Sequence, residues 1–153
     1  MTRTIQKTIS PVDGRVYAER GLAGPKELEA ALTRAARAQK EWAKTPLEER
    51  MAIVSRMVEV MLGAVEEVAL ELTYQMGRPV RYSPKEITGG FAERARYMTR
   101  IAPAALKDVP VDELPGFTRF VRREPLGVVL VLAPWNYPYL TSVNTIVPAL
   151  LAG

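Results

Sequence analysis

The stretch GVVLVLAPWNYP, residues 127–138, joins a run of apolar residues to a short motif of prolines and aromatic side chains. Residues 128–133 are apolar at every position, which is typical of a strand covered on both faces in a parallel sheet. Pro134 ends this strand, and Pro138 is well placed to begin a helix. A strand, a tight turn and a helix form half of a βαβ unit, whose ligands bind beyond the carboxyl ends of the strands. The stretch therefore predicts an α/β fold with a candidate site in the turn.

The residues after the turn predict a helix that runs to the end of the sequence. Apolar residues recur at helical spacing from Leu140 to Leu150, and Gly153 suits a helix end. Pro148 lies inside this pattern and predicts a kink or an interruption.

Asn136 lies in the turn between two prolines, which leave it few conformations. A side-chain amide held in this way is a suitable donor toward an oxygen that gains negative charge in a reaction. Asparagine is also favoured at helix N-caps, and the residues alone favour that simpler role. Trp135 is likewise more typical of packing than of a ligand site. Neither of the two common glycine-rich phosphate loops occurs in the sequence.

The first half of the sequence predicts a hairpin followed by long helices. Two β-prone runs flank the turn residues PVDG, residues 11–14, and helical spacing then runs from Pro25 to about Lys44. TPLE, residues 45–48, is a capping box that predicts the start of the second helix at Thr45. We expect this helix to carry one continuous apolar stripe until the stop signal at Gly77.

A third helix and a pair of strands are predicted next. SPKE, residues 83–86, is a second capping box, and we expect its helix to stop before Pro103. Gly89 and Gly90 interrupt the helical pattern and predict close packing or a distortion there. In residues 109–124 apolar and polar residues alternate on either side of the turn residues ELPG, which predicts a hairpin or two strands.

Composition limits the function classes. Charged residues make up 25% and apolar residues 48% of 153, as in ordinary soluble globular proteins. The longest apolar run, residues 128–135, is too short for a membrane span, and the start lacks an apolar signal region, so we expect the cytoplasm. With no cysteine or histidine, these residues contain no cysteine nucleophile and no thiolate metal site, and no metal site is predicted. The basic residues Arg119, Arg122 and Arg123 lack an interleaved aromatic platform, so we expect neither a nucleic-acid nor a membrane partner.

The longer stretch EPLGVVLVLAPWNYP, residues 124–138, resembles the signature of the NAD(P)-dependent aldehyde dehydrogenase superfamily. The order of hairpin, long helices, a GRP turn at residues 77–79 and a strand-rich crossover is similar too, over the whole chain. The resemblance implies the amino-terminal part of an aldehyde-dehydrogenase-like α/β fold, with the first strand and helix of a Rossmann-like cofactor domain. It implies a helical part of the cofactor-binding domain at 1–108, oligomerisation-type strands at 109–124 and a Rossmann-like core at 125–153.

The resemblance also implies roles for residues in and around the turn. Asn136 matches the asparagine whose side-chain amide helps to bind the oxyanion of the reacting aldehyde. Many members carry a bulky aromatic residue where this chain has Asn144, so the substrate tunnel is expected to be wider or more polar. The segment implied to contact the nicotinamide side of the cofactor is Leu132, Ala133, Pro134 and Trp135, and the residues implied to line the tunnel are Tyr137, Leu140 and Asn144.

The implied activity is oxidation of an aldehyde to a carboxylic acid with NAD or NADP through a cysteine thioester, in a homo-oligomer (dimer or tetramer). The cysteine nucleophile, the glutamate base and a cofactor-binding lysine of the family have no counterpart in these 153 residues. We therefore expect an amino-terminal portion of the enzyme that is inactive by itself. The alternative is a non-catalytic binding or interaction module that keeps the family architecture.

Overall fold

The computed structural model describes residues 4–153 and begins with a β-hairpin. Strands β1 (Ile5–Ile9) and β2 (Val16–Gly21) pair antiparallel. Gly14 has a φ of +73°, a left-handed conformation that glycine adopts without strain in the connecting turn. The predicted hairpin is confirmed.

Three helices follow the hairpin where the sequence predicts two. Helix α1 (Pro25–Trp42) is confirmed, but the continuous second helix is divided at Ala64 into α2 (Leu47–Gly63) and α3 (Val65–Met76). The backbone of Ala64, with φ −101° and ψ 12°, departs from helical geometry at this point. Helix α3 ends as predicted at Gly77, whose φ of +79° allows a left-handed cap.

The capping box predicted at Thr45 is wrong. The N-cap of α2 is Pro46, whose extended ψ of 147° keeps it outside the helix, and no side chain caps this end. The Pro46 carbonyl instead accepts the backbone N–H of Arg50 at 3.1 Å. The helix therefore begins one residue later than the box requires.

A π-helical segment (Glu86–Phe91) leads into α4 (Ala92–Ala105). The box at Ser83 is wrong here too: within residues 4–153 the buried Ser83 hydroxyl has no hydrogen-bond partner, and the Glu86 carboxylate turns to another helix. The predicted stop before Pro103 is wrong, because α4 continues two residues past this proline to Ala105.

Strands β3 (Val109–Pro110) and β4 (Phe120–Val121) form a second antiparallel pair, which confirms the predicted strands in a short form. The buried strand predicted at residues 128–133 is wrong for the described residues: this segment is unpaired, and Leu130 and Leu132 are 79% and 85% exposed. A strand exists only through hydrogen bonds to a neighbouring strand. Each of the two sheets within residues 4–153 contains two strands that pair only with each other, so this segment has no partner strand.

Helix α5 (Pro138–Ala152) packs against α2, α4 and the π-helical segment to form the core. It is confirmed at both ends, and Pro148 lies inside it without ending it. The indole of Trp42 in α1 donates to the Leu150 carbonyl at 2.9 Å, which ties α1 to the same core. The turn before α5 is thus attached to the best-packed part of the described chain. The fully buried large apolar side chains are Val54, Val58, Ile87, Val143 and Val147.

No helix within residues 4–153 has the length and apolar character needed to cross a membrane. The division of the chain at 1–108, 109–124 and 125–153 stays a prediction.

The structure confirms both the distortion and the close packing predicted at Gly89 and Gly90. The helix is π-helical there, and a Cβ placed on Gly90 lies 2.5 Å from Leu140 Cδ1 and 3.5 Å from its Cβ and Cγ. A Cβ on Gly89 meets nothing within 4 Å. Only Gly90 is therefore needed for the close approach of α5.

We expect Gly90→Val to lower the free energy of unfolding by about 1–3 kcal/mol, the usual effect of overpacking. Rotation of the Leu140 tip can relieve the contact with a Cβ alone, since the Cβ and Cγ of Leu140 lie at an ordinary contact distance of 3.5 Å, but the two γ-methyl groups of valine need further space. Gly89→Val is the matched control, and we expect it to change stability by less than about 1 kcal/mol. Urea denaturation measures both variants. Equal losses at the two positions contradict the assigned contact.

Candidate functional site

The candidate site is the turn that leads into α5, and Asn136 supplies its exposed side-chain amide. Asn136 is exposed, and within residues 4–153 its side-chain amide has no hydrogen-bond partner. The N-cap of α5 is Tyr137, and no side chain of the turn caps the helix. The simple cap role is therefore wrong for Asn136, whose amide is free to donate to a bound molecule.

A buried ion pair lies directly beneath this turn. The guanidinium of Arg78 donates through Nη1 to Glu86 Oε2, with the Arg78 side chain 9% exposed and that of Glu86 fully buried. Arg78 immediately follows the left-handed cap of α3, and Glu86 begins the π-helical segment. A buried carboxylate requires such a partner, because an unpaired charge in the interior is costly.

Glu86 also caps α5 from outside that helix. Its Oε1 accepts the backbone N–H groups of Tyr139 at 2.8 Å and Leu140 at 3.1 Å. A negative charge at this position interacts favourably with the positive end of the helix dipole. One carboxylate thus joins the π-helical segment, Arg78 and the first turn of α5.

Arg78 reaches the turn through its second terminal nitrogen. Nη2 donates to the backbone carbonyl of Asn136, and the guanidinium lies 4.2 Å from the centre of the Tyr137 ring in a cation–π contact. The backbone of Asn136 is therefore fixed on one side by a buried arginine, while its side chain remains open to solvent.

The phenol of Tyr139 faces the same carboxylates. Burial raises the pKa of Tyr139 above its ordinary value of 10.0, and the charges of Glu86 and Glu71 raise it further. Tyr139 therefore stays neutral at physiological pH and adds no charge beside the ion pair.

The structure brings two of the three predicted tunnel residues together. Tyr137 and Leu140 line one cavity of about 500 Å³ with Arg78 and Glu86. Asn144 lies one turn further along α5, where its Nδ2 donates to the Leu140 carbonyl at 3.2 Å. It lines a neighbouring cavity of about 680 Å³, formed largely by α4.

The predicted cofactor segment forms an apolar surface on the other side of the turn. Ala133, Pro134 and Trp135 line a cavity of about 710 Å³ that the hairpin and α3 complete. Leu132 does not line this cavity, but it is exposed, and Trp135 is 77% exposed. The segment itself is apolar, whereas Arg20 and Glu71 contribute charged side chains to the same cavity.

Sequence reasoning missed Arg78 and Glu86. The GRP motif contains Arg78, but it was used only as a helix stop and as part of the family resemblance, with no role for the arginine side chain. Glu86 was assigned to the start of its own helix, whereas its hydrogen-bond partners in α5 are 53 and 54 residues away. An acid three and four residues before two glycines was the available signal, because a helix that contains glycines there is expected to pack closely against another element.

The chain is similar in sequence to known proteins. The model of the aldehyde dehydrogenase family matches residues 1–153. A curated succinate-semialdehyde dehydrogenase (NADP(+)) of Deinococcus radiodurans is 33% identical over 148 residues, which make up 95% of this chain and 30% of the relative.

Solved structures agree with the family match. The crystal structure of an NAD-dependent benzaldehyde dehydrogenase from Corynebacterium glutamicum has a TM-score of 0.84 and 33% identity, covering 98% of this chain and 32% of that chain. That of an NADP-dependent glyceraldehyde-3-phosphate dehydrogenase from Bacillus halodurans C-125, complexed with NADP, has a TM-score of 0.87 and 25% identity, covering 98% and 32%. These similarities confirm the predicted α/β fold. The chain spans about 30% of the length of the curated relatives it matches, and it belongs to the aldehyde dehydrogenase family.

Proposed function

We propose that the protein containing these residues oxidises an aldehyde to a carboxylic acid with NAD+ or NADP+. The observation that carries the proposal is the Asn136 turn, in which a free side-chain amide projects from a backbone fixed by Arg78. Membership of the family supports the reaction class. The names of the relatives, which include NAD(+) and NADP(+) enzymes, support either cofactor.

Asn136 is proposed to donate a hydrogen bond to the oxygen of the bound aldehyde as that oxygen gains negative charge. A donor acts best here when it is already oriented, since no energy is then spent on moving it during the reaction. The flanking prolines and the bond from Arg78 to the Asn136 carbonyl fix the backbone from which this donor projects. The exposure of Asn136 leaves room for the substrate oxygen.

Leu132, Ala133, Pro134 and Trp135 are proposed to contact the nicotinamide end of the cofactor. Their exposed apolar surface fits one face of a flat ring. When bound, the cofactor supplies a hydride acceptor. The segment itself positions the ring and excludes water from it.

Tyr137, Leu140 and Asn144 are proposed to line the path of the aldehyde. Tyr137 and Leu140 already share a cavity, and Asn144 adds a polar side chain one helical turn further out. The proposed path therefore runs past Tyr137 and Leu140 and then past the polar side chain of Asn144.

The test is an assay of the protein encoded by the complete reading frame. We expect reduction of NAD+ or NADP+, followed by absorbance, with at least one member of a panel of aliphatic and aromatic aldehydes. Residues 1–153 alone serve as the control, and we expect no turnover from them, because they contain no cysteine.

A complete protein that reduces neither cofactor with any aldehyde contradicts the proposed reaction. If it nevertheless binds a nicotinamide cofactor, the alternative of a non-catalytic binding module is favoured. The cytoplasmic location and the homo-oligomeric state, dimer or tetramer, stay predictions from the sequence.

A further inference from the structure

The first turn of α5 depends on a side chain from another element. The first four N–H groups of a helix have no acceptor within that helix. Pro138 has no N–H, and Thr141 donates to the Tyr137 carbonyl at 3.0 Å. Among the described residues, the backbone N–H groups of Tyr139 and Leu140 donate only to Glu86. The α5 start is therefore complete only when the Glu86 carboxylate is in place.

Arg78 is the charged partner of the Glu86 carboxylate in this buried position. The same guanidinium holds the Asn136 carbonyl and the Tyr137 ring. The end of α3, the π-helical segment, the turn and α5 thus meet at one arginine–glutamate pair. A displacement of either side chain is transmitted to the backbone of Asn136.

We propose that Arg78 and Glu86 are positioning residues, which hold the Asn136 turn and the start of α5 in a single arrangement. Neither side chain acts on the substrate in this proposal. Arg78 acts through the Asn136 carbonyl, and Glu86 acts through Arg78 and the amides of Tyr139 and Leu140. The effect on catalysis rests on the proposed function, whereas the effect on the turn does not.

The first test measures amide hydrogen exchange by NMR on the complete protein. In Arg78→Met the carboxylate of Glu86 loses the buried partner that holds it in place, so its hydrogen bonds to the two amides of α5 weaken. We expect exchange at Tyr139 and Leu140 to accelerate about tenfold, as for a lost hydrogen bond to a charged group. Exchange at Val147, in the interior of α5, stays unchanged.

Two further variants sharpen this test. Arg78→Lys is the conservative variant, and we expect it to retain slow exchange, because one ammonium group can donate to both the carboxylate and the carbonyl. Arg81→Met is the matched control, since Arg81 contacts only the ring of Tyr82 among the described residues. Equal acceleration at Val147, or no acceleration at Tyr139 and Leu140, overturns the proposal.

The second test is a double-mutant cycle on kcat. If Arg78 acts through Asn136, Arg78→Met lowers kcat about tenfold in the wild-type background and much less beside Asn136→Ala, with KM unchanged. If the reductions in kcat caused by Arg78→Met and Asn136→Ala multiply in full in the double variant, the proposed route through Asn136 is overturned. Absence of turnover in the wild-type protein refutes the proposed function instead, and the exchange measurement then still decides whether the pair positions the turn.

Discussion

Asn136→Ala is expected to lower kcat by about 100- to 1000-fold, which corresponds to the loss of about 3–4 kcal/mol from one oxyanion donor. The amide of Asn136 is free and exposed, so its removal breaks no hydrogen bond within residues 4–153. We therefore expect little change in stability. KM should change little as well, because the hydrogen bond strengthens only as the substrate oxygen becomes charged.

Steady-state kinetics and urea denaturation on the same preparations check both parts of this expectation. Gln6→Ala is the matched control, because it removes an exposed amide from β1, away from the turn. Asn136→Asp is expected to be at least as slow as the alanine variant, since a carboxylate accepts hydrogen bonds and repels a negative oxygen. A wild-type kcat in Asn136→Ala excludes the oxyanion role.

The elements that the sequence predicts well are those with local causes. The hairpin follows from PVDG, α1 from helical spacing after Pro25, and α5 from Pro138 and Gly153. Each signal lies within a few residues of the structure it produces. Propensity and spacing are sufficient in such cases, because no distant residue competes with them.

The two capping boxes show where local reasoning fails. The box at Ser83 requires Glu86 to turn back toward its own helix start, but burial of Arg78 and of the α5 amides gives that carboxylate three better partners. The segment at residues 128–133 fails for a related reason. Its composition is that of a buried strand, but a strand also needs neighbours, and none is present within residues 4–153.

The residues of the candidate site likewise divide into those predicted from a local motif and those visible only in the structure. Asn136, Tyr137 and Leu140 were found because they lie in or beside one recognisable motif. Arg78 lies 58 residues from Asn136, and Glu86 lies 53 and 54 residues from the two α5 amides it accepts. No spacing rule connects residues so far apart, so their role became visible only in the folded chain.

Glu86→Ala is expected to lower the free energy of unfolding by about 3–5 kcal/mol, the usual result of removing one partner from a buried ion pair. The loss has two sources: Arg78 keeps a buried charge without its partner, and the amides of Tyr139 and Leu140 lose their acceptor. Urea denaturation measures the change. Glu93→Ala, an exposed acid on α4, is the matched control and should have little effect.

The double variant Arg78→Met with Glu86→Leu separates the two sources. It removes both charges together, so the penalty of an unpaired buried charge disappears and only the uncapped amides and altered packing remain. We therefore expect the double variant to be more stable than Glu86→Ala, although it contains one more substitution. If it is instead less stable by the sum of the single losses, the pair acts as two independent contacts, and the unpaired charge is not the cause of the instability.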